Sequence, residues 1–222
     1  MKKAFTMIEL VFVVIIIGIM SAVLAPKMDD GSLQQSTNQI VSHIRYTQHL
    51  ALTDDKFSNT DATWFRKRWQ IRFQNDAGGT NNGNWIYSIY SDTNKNNTID
   101  RNEIAKNPEN PNKFLTGFYS TINGEVQKST YTKKMDIEDN FGITDVVLTG
   151  GCANSSQISF DRVGRPFMGN PSTQASAYPD SITAPANSAL LLTTQCKIAF
   201  IGNDDKNITI AIEPETGYVH QL

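Results

Sequence analysis

The sequence predicts an α+β protein in which a long N-terminal transmembrane helical stem packs its C-terminal half on an antiparallel β-sheet head. Three observations predict it. Residues 10–25 run without a charge, Leu-Val-Phe-Val-Val-Ile-Ile-Ile-Gly-Ile-Met-Ser-Ala-Val-Leu-Ala. Apolar residues then recur at helical spacing to about Thr53. Beyond Asp55 the apolar period changes from about 3.6 to two, between Asn/Gly/Asp clusters.

Read as one helix, residues 5–25 measure about 32 Å, close to one hydrocarbon core. Lys2 and Lys3 precede the run and Lys27-Met-Asp-Asp follows it, which predicts a cytoplasmic N-terminus and an exported C-terminal head. Leu33, Ile40, Val41, Ile44, Ala51 and Leu52 mark one apolar face of the continuing helix, with Gln34, Gln35, Asn38, Arg45 and Gln48 elsewhere. Pro26, and then Gly31-Ser32, are the expected weak points of the rod. The predicted divisions are a leader at 1–4, a transmembrane helix at 5–25, an amphipathic stem helix at 26–55 and a periplasmic sheet head at 56–222.

In the head, Trp69, Ile71 and Phe73 alternate with polar residues, as do Trp85, Tyr87 and Ile89 beyond the turn 76–84. This spacing predicts an antiparallel hairpin. Further strands are expected at 113–120, 143–149, 157–161, 189–194, 197–201, 208–213 and 218–221, with a surface loop over 169–187.

Twenty basic residues against 22 acidic ones, a net charge of −2, argue against binding nucleic acid by backbone neutralisation. Two cysteines without a C-x-x-C exclude a zinc finger or a thioredoxin-type centre. No nucleophile elbow, His-Glu-x-x-His or phosphate loop occurs, and His43, His49 and His220 are too scattered to form a ligand set, so no enzymatic activity is expected. Arg66-Lys-Arg68, beside Trp64, Phe65 and Trp69, reads as a solvated strand end.

Glu9 interrupts the apolar run. A carboxylate inside an apolar span costs roughly 2.5–3.5 kcal/mol on insertion scales and therefore calls for a partner. No cation is near it in the sequence, but a cut after Ala4 would leave the α-amine of Phe5 one helical turn away, on this chain or a neighbouring copy. An ordinary secretory signal is the competing reading. Glu9, the length of the run and Pro26 directly after Ala25 all weigh against it.

Lys-Lys-Ala-Phe-Thr-Met-Ile-Glu-Leu-Val resembles the class III signal of type IV prepilins and type II secretion pseudopilins. The resemblance implies cleavage between Ala4 and Phe5 by a prepilin peptidase, N-methylation of Phe5, and Glu9 as the assembly carboxylate. It departs from the common pattern in Ala4 for Gly and Met7 for Leu. More weakly, Ile-Ser-Phe-Asp-Arg-Val-Gly-Arg-Pro at 158–166 and Ile-Ala-Ile-Glu-Pro-Glu-Thr-Gly-Tyr-Val at 210–219 resemble the heads of minor subunits. The implied function is that of a structural subunit, held in the bacterial inner membrane with its head in the periplasm. It would be built into a secretion pseudopilus or a type IV pilus. Its partners would be other pilin or pseudopilin subunits and an inner-membrane assembly platform. No nucleic-acid partner is expected, although a pilus of this family can serve DNA uptake. The alternative is a signal-anchored or secreted calcium-binding module or enzyme.

Residues 92–103 place oxygen side chains at positions 1, 3, 5, 9 and 12 of a twelve-residue stretch, with Ile99 at position 8. That spacing suits Ca²⁺, a hard cation taking six to eight oxygens. Asp92, Asn94, Asn96 and Asp100 would ligate through side chains, Thr98 through its carbonyl, and Glu103 through both oxygens. Asn97 replaces the usual glycine and tolerates a left-handed backbone. An ion-free Asn-rich turn is the alternative. Cys152 and Cys196, in a head expected to be exported, read as a disulfide closing a 45-residue loop.

Overall fold

The computed structural model describes residues 6–75, 83–120, 124–178, 191–203 and 206–222, and for residues 22–31 the backbone only. Helix α1 spans Met7–Thr53 and continues unbroken through Pro26 and Gly31. Thr6 starts it with a capping box: the Thr6 hydroxyl accepts from the Glu9 N–H, and the Glu9 carboxylate accepts from the Thr6 N–H. At the other end the Asp54 N–H donates to the Leu50 carbonyl at 2.8 Å.

Among the described residues, eight strands form two antiparallel sheets. The first joins β1 (Trp69–Asn75), β2 (Trp85–Ser91), β4 (Gln157–Phe160) and β5 (Pro166–Met168) in the order β2-β1-β4-β5. The second joins β3 (Ile143–Gly150), β6 (Cys196–Gly202), β7 (Asn207–Ile212) and β8 (Val219–Gln221) in the order β3-β6-β7-β8. A five-residue helix α2, Ile137–Phe141, ends at Gly142, whose φ of 69° is the left-handed stop that glycine adopts without strain.

One core lies between the sheets and α1. Ile71 and Phe73 of β1, Tyr87 and Ile89 of β2, and Ile158 and Phe160 of β4 meet Ile198 and Phe200 of β6 and Ile210 and Ile212 of β7. Phe73 and Phe200 touch across the sheets, edge to face, at 5.8 Å between centroids. Leu33, Ile40, Ile44 and Ala51 of α1 join the same cluster. Ser36, Thr37 and Thr47 are buried on that helix face. Their hydroxyls donate to the Leu33 carbonyl (Ser36, 2.7 Å; Thr37, 2.9 Å) and to that of His43 (Thr47, 2.8 Å), which satisfies polar groups that water cannot reach.

The expected fold class is corrected. Among the described residues no helix is long and apolar enough to cross a membrane. The transmembrane stem, and with it the single-pass inner-membrane placement, is therefore overturned. So is the one-sheet head, because the strands divide between two sheets that enclose the core.

Individual strands differ too. The β1/β2 hairpin forms in the register Trp69↔Ser91 to Asn75↔Trp85. Residues 113–120 form no strand and make only isolated bridges, Phe114 to Lys106 and Tyr131 and Thr116 to Ser88. Strand β5 is an addition to the expected set: its three residues are too few for a period to register. Of the strand expected at 189–194, residues 189 and 190 lie outside the described residues, and Leu191 makes a single bridge to Phe167.

Candidate functional site

Two features stand apart from the core. The first is the free half of α1. Twelve large apolar side chains between Met7 and Met20 are exposed, from 44% for Val13 to 85% for Met7. They surround the helix rather than forming one face. A helix apolar on every side is one that something else must enclose.

Glu9 sits at the start of this segment. Its Oε2 accepts from the Thr6 N–H and from the Thr6 hydroxyl, both at 3.2 Å. A local partner therefore exists, contrary to the expectation of none nearby in the sequence. That expectation counted charges alone, whereas a helix start offers unpaired N–H groups as well. Ala4 and Phe5, the expected cleavage and methylation site, and the leader at 1–4 lie outside the described residues.

The second feature is the Asn-rich loop at 92–103, directly after β2. Asp92 and Glu103 are almost wholly buried, at 1% and 2% exposure. Asp92 Oδ1 accepts from the Asn96 N–H at 3.1 Å, and Oδ2 from the Asn97 N–H at 2.9 Å and from the Ser172 hydroxyl. Asn94 Oδ1 accepts from the Asn96 N–H at 3.0 Å, and Asn96 Oδ1 from the Thr98 N–H at 2.8 Å. Asp100 Oδ2 accepts from the amides of Asn94 and Asn96, at 2.6 and 3.2 Å. Lys95 and Asn97 take left-handed φ values of 63° and 64°.

Glu103 Oε1 accepts from the Thr93 N–H, the Thr93 hydroxyl and the Asn94 N–H at 2.7, 2.8 and 3.0 Å. Its Oε2 is buried and has no hydrogen-bond partner among the described residues. The six expected ligand residues thus share one turn. Among the described residues, however, no three His, Cys, Asp or Glu side chains converge as a metal-binding group.

The loop is tied to its surroundings. Lys95 Nζ bonds both oxygens of Asp61, at 2.8 and 2.9 Å, and Lys67 reaches Asp61 at 2.8 Å. Lys67, then Lys95 and Thr63, hold the Asp61 carboxyl well below the usual carboxylate range. Asn170 donates its amide to Asn97 Oδ1, so the short 3₁₀ turn Pro171–Thr173 is fastened to the loop by Ser172 and Asn170.

Cys152 and Cys196 form a disulfide with Cα atoms 5.0 Å apart. It joins the turn after β3 to the first residue of β6. Gly151 permits the approach, because any side chain there would collide with the Thr194 carbonyl.

The basic triplet is not the expected solvated strand end. Trp64–Lys67 form a 3₁₀ turn, and Arg68 is buried. Its guanidinium lies 3.9 Å over the Phe167 ring, near Trp64 and Tyr178, and donates to the Ala177 carbonyl at 2.5 Å. Burial lowers its pKa to about 10. The flanking aromatics were the available signal, since an arginine among Trp, Phe and Trp can stack rather than hydrate.

The three histidines remain apart. His43 Nδ1 lies 2.7 Å from the Tyr87 hydroxyl, His220 Nε2 lies 2.8 Å from Glu213 Oε1, and His49 lies beside Tyr46. No protein-family model matches the chain, and no curated protein or solved structure is detectably similar to it.

Proposed function

We propose that the chain is a structural subunit rather than an enzyme, and that it assembles with copies of itself or with related subunits into a pilin- or pseudopilin-like filament. The observation that carries this reading is the exposed apolar half of α1. Each of its side chains would gain roughly 1.5–3 kcal/mol on full burial, so a bundle of such helices has a driving force that a lone chain leaves unused. The prepilin-like signal Lys3-Ala-Phe-Thr-Met-Ile-Glu9 supports the same reading through its resemblance, with processing between Ala4 and Phe5, N-methylation of Phe5 and Glu9 as the assembly carboxylate. Glu9 is exposed and joined only to its own capping box among the described residues, which leaves its second oxygen for a neighbour's amine.

Calcium belongs to this proposal as a clip within the head. Glu103 Oε2, a buried oxygen without a donor among the described residues, fits a cation, and Asp92, Asn94, Asn96, Thr98 and Asp100 supply further oxygens in the same turn. Bound calcium would neutralise charge and order the turn, with Lys95 and Ser172 carrying that order to the neighbouring segments.

The test is sedimentation of the full-length chain with and without the triple substitution Val11→Asn, Ile15→Asn and Ile19→Asn, together with mass spectrometry of the mature N-terminus. The expected result is a large assembly for the wild type, a monomer for the variant, and methyl-Phe5 as the first residue. A wild-type chain that stays monomeric at high concentration without detergent, or a mature form beginning near Pro26, would overturn the proposal.

A further inference from the structure

The face of the first sheet that turns away from the core carries a groove. Ile71 and Phe73 point into the core, so Arg72 between them points to the opposite face, paired in register with Ser88 of β2 and Gln157 of β4. Two adjacent depressions share Arg72 as their common wall. One, of about 320 Å³, is lined by Gln74, Ile99 and Phe118. The other, of about 190 Å³, is lined chiefly by Asn97, Asn154, Gln157 and Asn170.

Arg72 is the only charged residue lining either depression among the described residues. The Tyr90 hydroxyl lies beside it, and among the described residues its buried Nε has no hydrogen-bond partner and no carboxylate forms an ion pair with it. The amide wall is held in place beforehand. Ser155 Oγ accepts from the N–H groups of Gln157 at 3.1 Å and Gly169 at 3.0 Å, and Asn170 is fastened to Asn97. A wall already in place lowers the ordering cost of binding.

The chemistry of these groups selects the ligand. A guanidinium presents a fork of donors that matches a carboxylate. Primary amides donate and accept at once, as sugar hydroxyls do. Phe118 and Ile99 offer an apolar surface of the kind that the C–H face of a pyranose ring covers. A single cation suits one carboxylate and not a nucleic-acid backbone, which needs several. We infer that this groove binds an acidic oligosaccharide. The carboxylate of one uronic-acid ring sits on Arg72, its hydroxyls meet the Asn97–Asn154–Gln157 wall, and the neighbouring ring covers Phe118 and Ile99.

The test titrates the full-length chain, in calcium-free buffer, with digalacturonate, its methyl ester and a short oligothymidylate, read by calorimetry. Digalacturonate should bind, and esterification or Arg72→Gln should each weaken binding at least tenfold. Asn154→Gly should weaken it severalfold with unchanged thermal unfolding, because Asn154 has a φ of 61° that glycine adopts freely. If Arg72→Gln fails to fold, the ester and Asn154→Gly decide. No binding, equal binding of acid and ester, wild-type affinity in Asn154→Gly, or tighter binding of the oligonucleotide would each overturn the assignment.

Discussion

His43 makes the stability of the head sensitive to mild acid. It lies on the part of α1 that enters the core, with its Nδ1 2.7 Å from the Tyr87 hydroxyl, which also accepts from Gln39 Nε2 at 2.8 Å. With the Gln39 amide donating into that oxygen, the phenol proton is free to point at a neutral His43 nitrogen. Protonation would turn Nδ1 into a donor and leave the buried phenol O–H without its acceptor. Burial accordingly lowers the pKa of His43 from 6.5 to about 4 and raises that of Tyr87. A base whose pKa falls on folding stabilises the fold above the unfolded value near 6.5, and that contribution is lost as pH falls from there towards 4. At about 1.4 kcal/mol per unit the full effect is roughly 3 kcal/mol, of which about 2.5 kcal/mol should disappear between pH 7 and pH 4.5. The assay is equilibrium denaturation followed by tryptophan fluorescence, comparing the wild type with His43→Gln at both pH values. Carboxylates titrate in both proteins, so the difference between them isolates His43. Parallel losses, within about 0.5 kcal/mol, would refute the reasoning.

Three further outcomes are expected. Glu103→Gln should leave the metal-free head as stable as the wild type or more so, since it removes a buried charge whose Oε2 has no partner among the described residues. The same variant should lose the rise in melting temperature that calcium gives the wild type, worth about 2.7 kcal/mol at a hundredfold excess over Kd, and an unchanged wild-type melting temperature in calcium would remove the clip. Replacing Cys152 and Cys196 by Ser should cost about 4 kcal/mol under the chain-entropy account of a loop with a separation of 44 residues, measured by urea titration, and a cost near zero would contradict it. Ile44→Ala, at a fully buried site between α1 and the sheets, should destabilise by about 2–5 kcal/mol in calorimetry, whereas Leu52→Ala, half exposed on the same helix, should stay within about 1 kcal/mol.

Local chemistry was legible in the order of residues alone. The alternation of Trp69, Ile71 and Phe73 against Trp85, Tyr87 and Ile89 specified a hairpin and its inward face, because in a strand the period alone assigns sides. The helical spacing marked Leu33, Ile40, Ile44 and Ala51 on the face of α1 that enters the core, although it also took in Leu52, which is half exposed, and the spacing of oxygens from Asp92 to Glu103 marked one turn. Each of these depends on neighbours in sequence. What depends on distant groups was decided only by the fold. The division of strands into two sheets, the short β5, the burial of Arg68 under Phe167 and Tyr178, and the shared wall of Arg72 follow from which segments meet, and no period records that. Thr6 and Glu9 show the same divide at short range: both residues stand within one helical turn in the sequence, but their pairing depended on where the helix begins.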